Sequence, residues 1–511
     1  MDMVPNKTPV RRRQWRLVVL AILSIATALL CLGVATNAFV IGIRNQWVWP
    51  HQTALGPYRL WVFGGPALGL VLLAIGLRRI AAGGRWTRGL ALGGIVALGF
   101  FAAVGVKSVV SPGTPYLLGM IASRSSTSYF VEARQLADDD RGLRAWLHAY
   151  SERMPTMLGH ARTHPPGAVL FYRVFIGIAR TNSPLTRAAG KALVAIAGED
   201  AESLTTEFGH IQGHLPYPWE HTWPDVVAAW LIALALALCA ALVAVPIYRI
   251  MGDARAGGSP LAGLCGALLW VTVPSALCFT PQLDQFLCLV AAGSVCLFAL
   301  GLRSNRWGWS AASGACVAVG IFTSFGLAVI AAMLVLWGAL ARRRKAAPPL
   351  LFFAAGVVVP LVAVALIAGM DWAAIARTAA ELHRVEITQA FPRRYGPWLG
   401  WNVLEVLLFG GLAVAGWMAV HLARRARGRT GPRTDLDWLF LAWVLALVVL
   451  DLSGGTRGET ARIWLFLMPP MAMAAGSELA LMGGAGRAGS VALNLAQVLV
   501  FEVSLGLLSI Y

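Results

Sequence analysis

Apolar stretches of about 20 residues, the length a helix needs to cross the hydrocarbon layer of a bilayer, recur along this chain from Leu17 onward with little between them. A chain built this way has no polar surface with which to wrap a water-soluble core. Of its 511 residues 58% are hydrophobic and 13% charged, against roughly 25% charged in an average soluble domain. The pattern therefore predicts an all-α, polytopic membrane protein. A formal charge of +18 would suggest nucleic acid for a soluble protein. Here the Arg and Lys residues fall in short clusters between apolar runs, the pattern of cytoplasmic loops. The expected partner is the lipid bilayer and not nucleic acid.

Reading each run as a span and orienting it by its basic flanks gives about 13 spans. They lie near 17–40, 61–79, 89–110, 226–248, 259–278, 285–302, 307–321, 324–341, 349–369, 399–421, 437–453, 462–482 and 488–510. The basic connections 78–88, 249–255, 303–306, 342–345 and 424–433 then share one side, assigned to the cytoplasm together with the N-terminus. The apolar run behind Arg11, Arg12 and Arg13 is long and lacks a small-residue cleavage site, so it reads as a retained first span. Region 307–345 is too long for one span, and a tight hairpin at Thr323-Ser324 preserves the alternation. The chain thus divides into a three-span segment 1–111, an extracytoplasmic loop 112–224 and a multi-span bundle 225–511. All seven cysteines lie inside apolar runs without metal-ligand spacing and read as packing residues.

The polar signatures concentrate on the opposite side, in 111–224, 371–398 and 451–462. In the first of these, 129–150, 168–180 and 185–198 have helical periodicity without spanning length, and predict helices lying along the membrane surface. The run from Ala168 is alternatively a re-entrant segment. The most specific string is Arg162-Thr163-His164-Pro165-Pro166-Gly167, where two prolines end a loop and begin a helix. His164 then stands beside a helix N-terminus, either as a site residue or as a polar rim residue. Upstream, Ser126-Thr127-Ser128-Tyr129-Phe130-Val131-Glu132 leads into Asp138-Asp139-Asp140. One of these carboxylates can take a proton from a hydroxyl or help hold a divalent cation, magnesium or manganese, against a phosphate. The bland alternative for the triplet is a solvated helix end. The third string, Asp451 to Trp464, packs Arg457, Glu459 and Arg462 with three glycines into one turn. It is either a bidentate phosphate site with close backbone approach or a self-neutralised turn. Arg393-Arg394-Tyr395 reads as an interfacial anchor, Asp284 as a helix cap, and Trp47, Trp49 and His51 as aromatic-belt residues. The chain has no phosphate-binding Walker loop, no nucleophile elbow and no HExxH motif.

These strings, in this order, resemble the GT-C class of polytopic glycosyltransferases, which take a sugar from a polyprenyl-phosphate carrier at the extracytoplasmic face. Tyr129, Phe130 and Ala133 resemble part of that family's first outer-loop element, and Thr163-His164-Pro165-Pro166-Gly167 its His/Lys-Pro-Pro string. The likeness is carried by motif over 112–303 and by architecture elsewhere. One departure stands out: Ser126, Thr127 and Ser128 occupy the place of the family's acidic pair. The resemblance implies a sugar transferred from a polyprenyl-phosphate donor to an acceptor the sequence does not name, with Glu132, Asp138, Asp139, Asp140 and His164 as catalytic candidates. It further implies that Tyr129, His160, Arg162, Arg394, Tyr395, Arg457, Glu459 and Arg462 bind substrate. Two other readings stay open: a lipid-linked saccharide transporter or flippase, and a non-catalytic protein on the same fold.

Overall fold

A computed structural model describes residues 9–52, 60–109, 114–123, 127–210, 220–253, 257–304, 306–342, 347–390, 392–428 and 434–507. Ser126 of the serine string, Arg255, 343–345 and 429–433 lie outside the described residues. The chain opens with α1 (Pro9–Ala35), a two-stranded hairpin of β1 (Gly42–Ile43) and β2 (Trp47–Val48), α2 (Leu60–Ala82) and α3 (Arg85–Lys107). The long loop carries α4 (Thr114–Ala122), α5 (Tyr129–Ala137), α6 (Gly142–His148), α7 (Tyr150–Arg153), α8 (Gly167–Arg180), α9 (Pro184–Ala197) and α10 (Ala201–His210). At 14 residues, α8 is about 21 Å long, too short to cross about 30 Å of hydrocarbon. The 129–150 run divides at Gly142, whose φ of +79° a side chain rarely adopts.

The bundle follows as α11 (Trp223–Leu242), α12 (Ala244–Met251), α13 (Pro260–Trp270), α14 (Pro274–Cys278), α15 (Asp284–Ser304), α16 (Trp307–Thr323), α17 (Ala328–Arg342) and α18 (Ala347–Ala368). It closes with α19 (Trp372–Val385), α20 (Tyr395–Phe409), α21 (Leu412–Ala426), α22 (Asp435–Leu452), α23 (Thr460–Ile463), α24 (Pro469–Leu479) and α25 (Gly484–Ser504).

Six helices among the described residues are long and apolar enough to cross a bilayer, or seven if α20 and α21, bent by 109°, count as one span. The other expected runs are shorter or broken, for identifiable reasons. Pro274, which lacks an amide donor, separates α13 from α14. Gly411, at φ +91°, bends α20 away from α21. The 462–482 run is divided into α23, a 3-10 turn and α24, which starts on Pro469-Pro470. Asp435, Asp437 and Asp451 charge both ends of α22. Between α16 and α17 the chain breaks at Ser324, where the backbone turns extended, at the place the hairpin was expected.

Ion pairs reveal which connections share an end of the bundle. Glu478 at the end of α24 meets Arg16 of α1 at 3.6 Å and Arg424 of α21 at 2.6 Å. Arg303 reaches Asp253 at 3.3 Å and Asp435 at 3.7 Å, and Arg425 pairs with Asp437 at 2.8 Å. These pairs bring Arg16 and the connections at 253, 303, 424–425 and 435–437 to one end. At the other end Gln52 donates its amide to the Ser504 carbonyl, His148 bonds the Gly369 carbonyl, and His383 bonds the Gly455 carbonyl. Buried charge is paired: Lys107, the last residue of α3, bonds both carboxylate oxygens of Glu502 of α25 at 2.8 Å, as a charge removed from water requires. All seven cysteines are free.

Helices approach closely where glycines face backbone. A Cβ on Gly356 of α18 would fall on the Ala311 carbonyl of α16, and one on Gly314 of α16 on the Phe353 carbonyl of α18. Small residues allow this van der Waals contact in lipid. Gly356→Leu is therefore expected to lower the unfolding midpoint in detergent, at a cost of about 1–3 kcal/mol for overpacking. Gly293→Ala, where a Cβ meets open space, should leave the midpoint unchanged in the same melts.

Candidate functional site

The His-Pro-Pro string folds as its residues dictate. Pro165 keeps His164 extended, at φ −110° and ψ 153°, and Pro166 begins α8. The Tyr150 hydroxyl donates to the His164 carbonyl at 2.9 Å and pins the turn. The His164 Nδ1 lies 2.9 Å from the His160 carbonyl. A carbonyl only accepts, so the proton sits on Nδ1 and the Nε2 lone pair is left free. Tyr129 meets the His164 ring edge-on with centroids 5.8 Å apart, and the Ala161 amide donates to the Thr127 carbonyl at 3.0 Å. Burial, with Arg462 nearby, holds His160 well below the usual histidine range and His164 at about 4. Both rings are therefore neutral at pH 7.

The 451–464 turn needs three left-handed residues: Gly454 (φ +62°), Gly458 (φ +89°) and Glu459 (φ +57°). A Cβ on Gly458 would also meet the Trp398 ring at 2.9 Å, so glycine serves conformation and clearance together. Two side chains of α20 hold the turn. Asn402 donates to Asp451 Oδ1 at 2.9 Å and to the Thr456 carbonyl at 3.0 Å, and accepts from the Gly458 amide at 3.0 Å. Glu405 accepts from the Thr460 amide at 3.2 Å and from Trp49 Nε1 at 2.7 Å. So anchored, Arg462 donates through Nη2 to His160 Nε2 at 3.0 Å and to Glu459 Oε2 at 2.9 Å. Arg393 approaches Glu459 at 3.4 Å and also donates to the Arg457 carbonyl. Arg457 returns a bond to the Arg393 carbonyl at 2.6 Å.

The two loops enclose one cavity of about 1180 Å³ of empty space, counted out into its mouth. Its lining mixes charged and apolar side chains: Arg393, Arg457 and Arg462 stand with the carboxylates Asp284, Glu386 and Glu459, beside Leu283, Leu287, Leu450, Ile463 and Phe466. Four buried polar atoms at the cavity have no hydrogen-bond partner among the described residues: Thr127 Oγ1, Arg393 Nε, Arg462 Nε and Trp464 Nε1. Such groups are costly to bury unsatisfied, so a polar ligand is the natural partner.

Of the residues singled out from the sequence, Tyr129, His160, His164, Arg457, Glu459 and Arg462 line this cavity. Glu132 is buried on α5 but does not line it, its charge instead being felt by Tyr150. Three residues on, Glu132 shares a face of α5 with Tyr129 but stands about 4.5 Å further along the helix axis, outside the lining. Asp138 pairs with Arg134 and Arg180, and Asp139 with Arg141 at 2.9 Å, while Asp140 lies outside the cavity. With those carboxylates taken by arginines, the triplet does not fit a magnesium or manganese ion. Among the described residues no group of three or more His, Cys, Asp or Glu could hold a metal. Arg162, Arg394 and Tyr395 also stand outside the lining. Tyr395 instead supports the turn from behind, donating to the Leu452 carbonyl at 2.7 Å beneath the Arg457 guanidinium.

The cavity also contains Asp284, His383, Glu386 and Thr127, which sequence reasoning passed over as site residues. Asp284 had a sufficient local explanation as a helix cap, and His383 stands alone in its segment, so neither carried a distinguishing pattern. No known protein family matches the chain, and neither a curated protein nor a solved structure matches it significantly.

The neutral histidines set a pH dependence. Unfolded histidine binds protons near 6.5, whereas folded His164 does so only near 4 and His160 is likewise depressed. Between these values the unfolded state carries more protons, so stability rises with pH. Their contribution is complete above about 6.5 and is lost as pH falls toward 4. Melting midpoints in detergent should decline across that window, and less steeply in a His160→Gln, His164→Asn double variant.

Proposed function

We propose that the protein is a membrane glycosyltransferase of GT-C type, moving a sugar from a polyprenyl-phosphate donor to an acceptor at the extracytoplasmic face. The observation that carries this reading is the meeting of the 127–164 and 456–464 segments over one cavity lined by three arginines and by apolar side chains. A lipid phosphate offers an anionic head to the arginines and an apolar chain to the leucines. Arg462 and Arg393 hold the phosphate; Glu459, already shared between them, sets their spacing. The guanidiniums stabilise the charge that gathers on the leaving phosphate as the sugar departs. Tyr129 and His164 border the space the acceptor enters. The basic end of the bundle faces the cytoplasm by the positive-inside rule, which puts the cavity end outside.

Binding of a fluorescent polyprenyl phosphate in detergent tests this. Arg462→Ala should weaken binding at least ~30-fold, the lower end of the ~2–5 kcal/mol lost when one member of a buried charge pair is truncated, while Asp138→Asn leaves it unchanged. Unaltered binding by Arg462→Ala would sink the reading. A second reading, a lipid-phosphate binder without transfer, is favoured by the distance of Glu132 and Asp138 to Asp140 from the cavity. Lipid binding without sugar transfer to any offered alcohol would support it.

A further inference from the structure

Transfer of a sugar to a hydroxyl frees a proton, and the carboxylates expected to accept it do not reach the cavity. Three others do: Asp284, Glu386 and Glu459. Glu459 is occupied by Arg393 and Arg462. Glu386 lies in the π-helical turn that follows α19. Asp284 begins α15 beside Gln282 and Leu283 and forms no ion pair among the described residues. Its charge is felt by Tyr129 and Arg462, which line the same cavity.

We infer that Asp284 is the catalytic base, and that the acceptor it serves is a hydroxyl-bearing molecule seated between Thr127, Tyr129 and Trp464. The inference rests on the glycosyltransferase reading and deepens it. The turn carrying Asp284 is rigid: the Gln282 amide donates to the Phe279 carbonyl at 2.8 Å, and Thr280 and Gln285 side chains both bond the Ala276 carbonyl, at 2.9 and 3.1 Å. Thr127, 3% exposed, and Trp464, 1% exposed, present an unpartnered hydroxyl and an unpartnered indole N–H at the same cavity. A hydroxyl both donates and accepts, and so satisfies this pair. Thr127 stands within the serine-rich string that replaces the family's acidic pair, so there the chain offers hydroxyl recognition while Asp284 brings the carboxylate from a different element. His164 Nε2 also has no hydrogen-bond partner among the described residues, and it accepts from a second hydroxyl of the acceptor.

In the step itself the acceptor oxygen forms a bond to the anomeric carbon as the bond from that carbon to the phosphate oxygen breaks. The bonding pair leaves with the lipid phosphate, and the acceptor proton passes to the Asp284 carboxylate, which later returns it to water.

Asp284 is also the first residue of α15, and Asp284→Asn separates the two roles, since Asn caps helices as well as Asp does but cannot accept the proton. The experiment compares wild type, Asp284→Asn and Asp284→Glu for binding of fluorescent polyprenyl phosphate and for transfer of sugar from a polyprenyl-phosphate donor to a panel of alcohols. The expected result is unchanged lipid binding with transfer reduced roughly 10²–10⁴-fold in the Asn variant, partial recovery in the Glu variant, and loss of the acidic limb of the rate profile in the Asn variant alone. Transfer by Asp284→Asn at the wild-type rate overturns the assignment and leaves the lipid-phosphate reading standing. Absence of lipid-phosphate binding by wild type overturns both.

Discussion

A guanidinium held out of water is the constraint around which the loop end of this protein is organised. Arg462 is 8% exposed and always charged, so it must be paired and oriented. Glu459 and His160 supply two of its contacts. The turn that delivers Arg462 cannot hold itself, because its left-handed residues leave amides and carbonyls that no helix satisfies. Asn402 and Glu405 of α20 satisfy them, and Trp49, just after β2, braces Glu405. A single buried charge thereby ties together the N-terminal segment, the long loop and the C-terminal bundle.

The same rule explains the rest of the bundle's polarity. Charges buried in it are paired or bonded to carbonyls: Lys107 with Glu502, and Arg487 with the Ala74, Met482 and Ile75 carbonyls. Those at the basic end form networks, with Glu478 drawing Arg16 and Arg424 from different helices. Polar atoms without partners among the described residues occur at both ends, Arg303 Nη2 and His421 Nε2 at the basic one. At the loop end two guanidinium nitrogens, a hydroxyl and an indole N–H lie beside a cavity, where a ligand can satisfy them.

Much of the fold was legible because helix formation in lipid is a local demand. Every backbone amide must be satisfied within its own segment, so apolar length announces a helix. The break at Ser324, the helix behind Pro165-Pro166 and the special turn at 454–459 all followed from residues with strong backbone preferences. Interruptions by packing were harder to see. The bend at Gly411 and the division of 462–482 around Trp464 and Pro469 shorten helices that hydropathy alone reads as continuous. The place of the candidate acids was equally hidden: Glu132 and Tyr129 are neighbours in sequence, but only Tyr129 lines the cavity.

By itself the sequence determined the class of molecule, the basic and loop ends of the bundle, and two of the strings that wall the cavity. Those properties depend on composition and backbone preference, which act over a few turns of chain. Only the tertiary structure decided which charges meet. It paired Asp138 and Asp139 with arginines, removing them from the candidate site, and brought Asp284, His383 and Thr127 from three separated segments to one cavity with Arg462. Such juxtaposition depends on how helices pack against one another across more than a hundred residues of chain, and no local pattern encodes it.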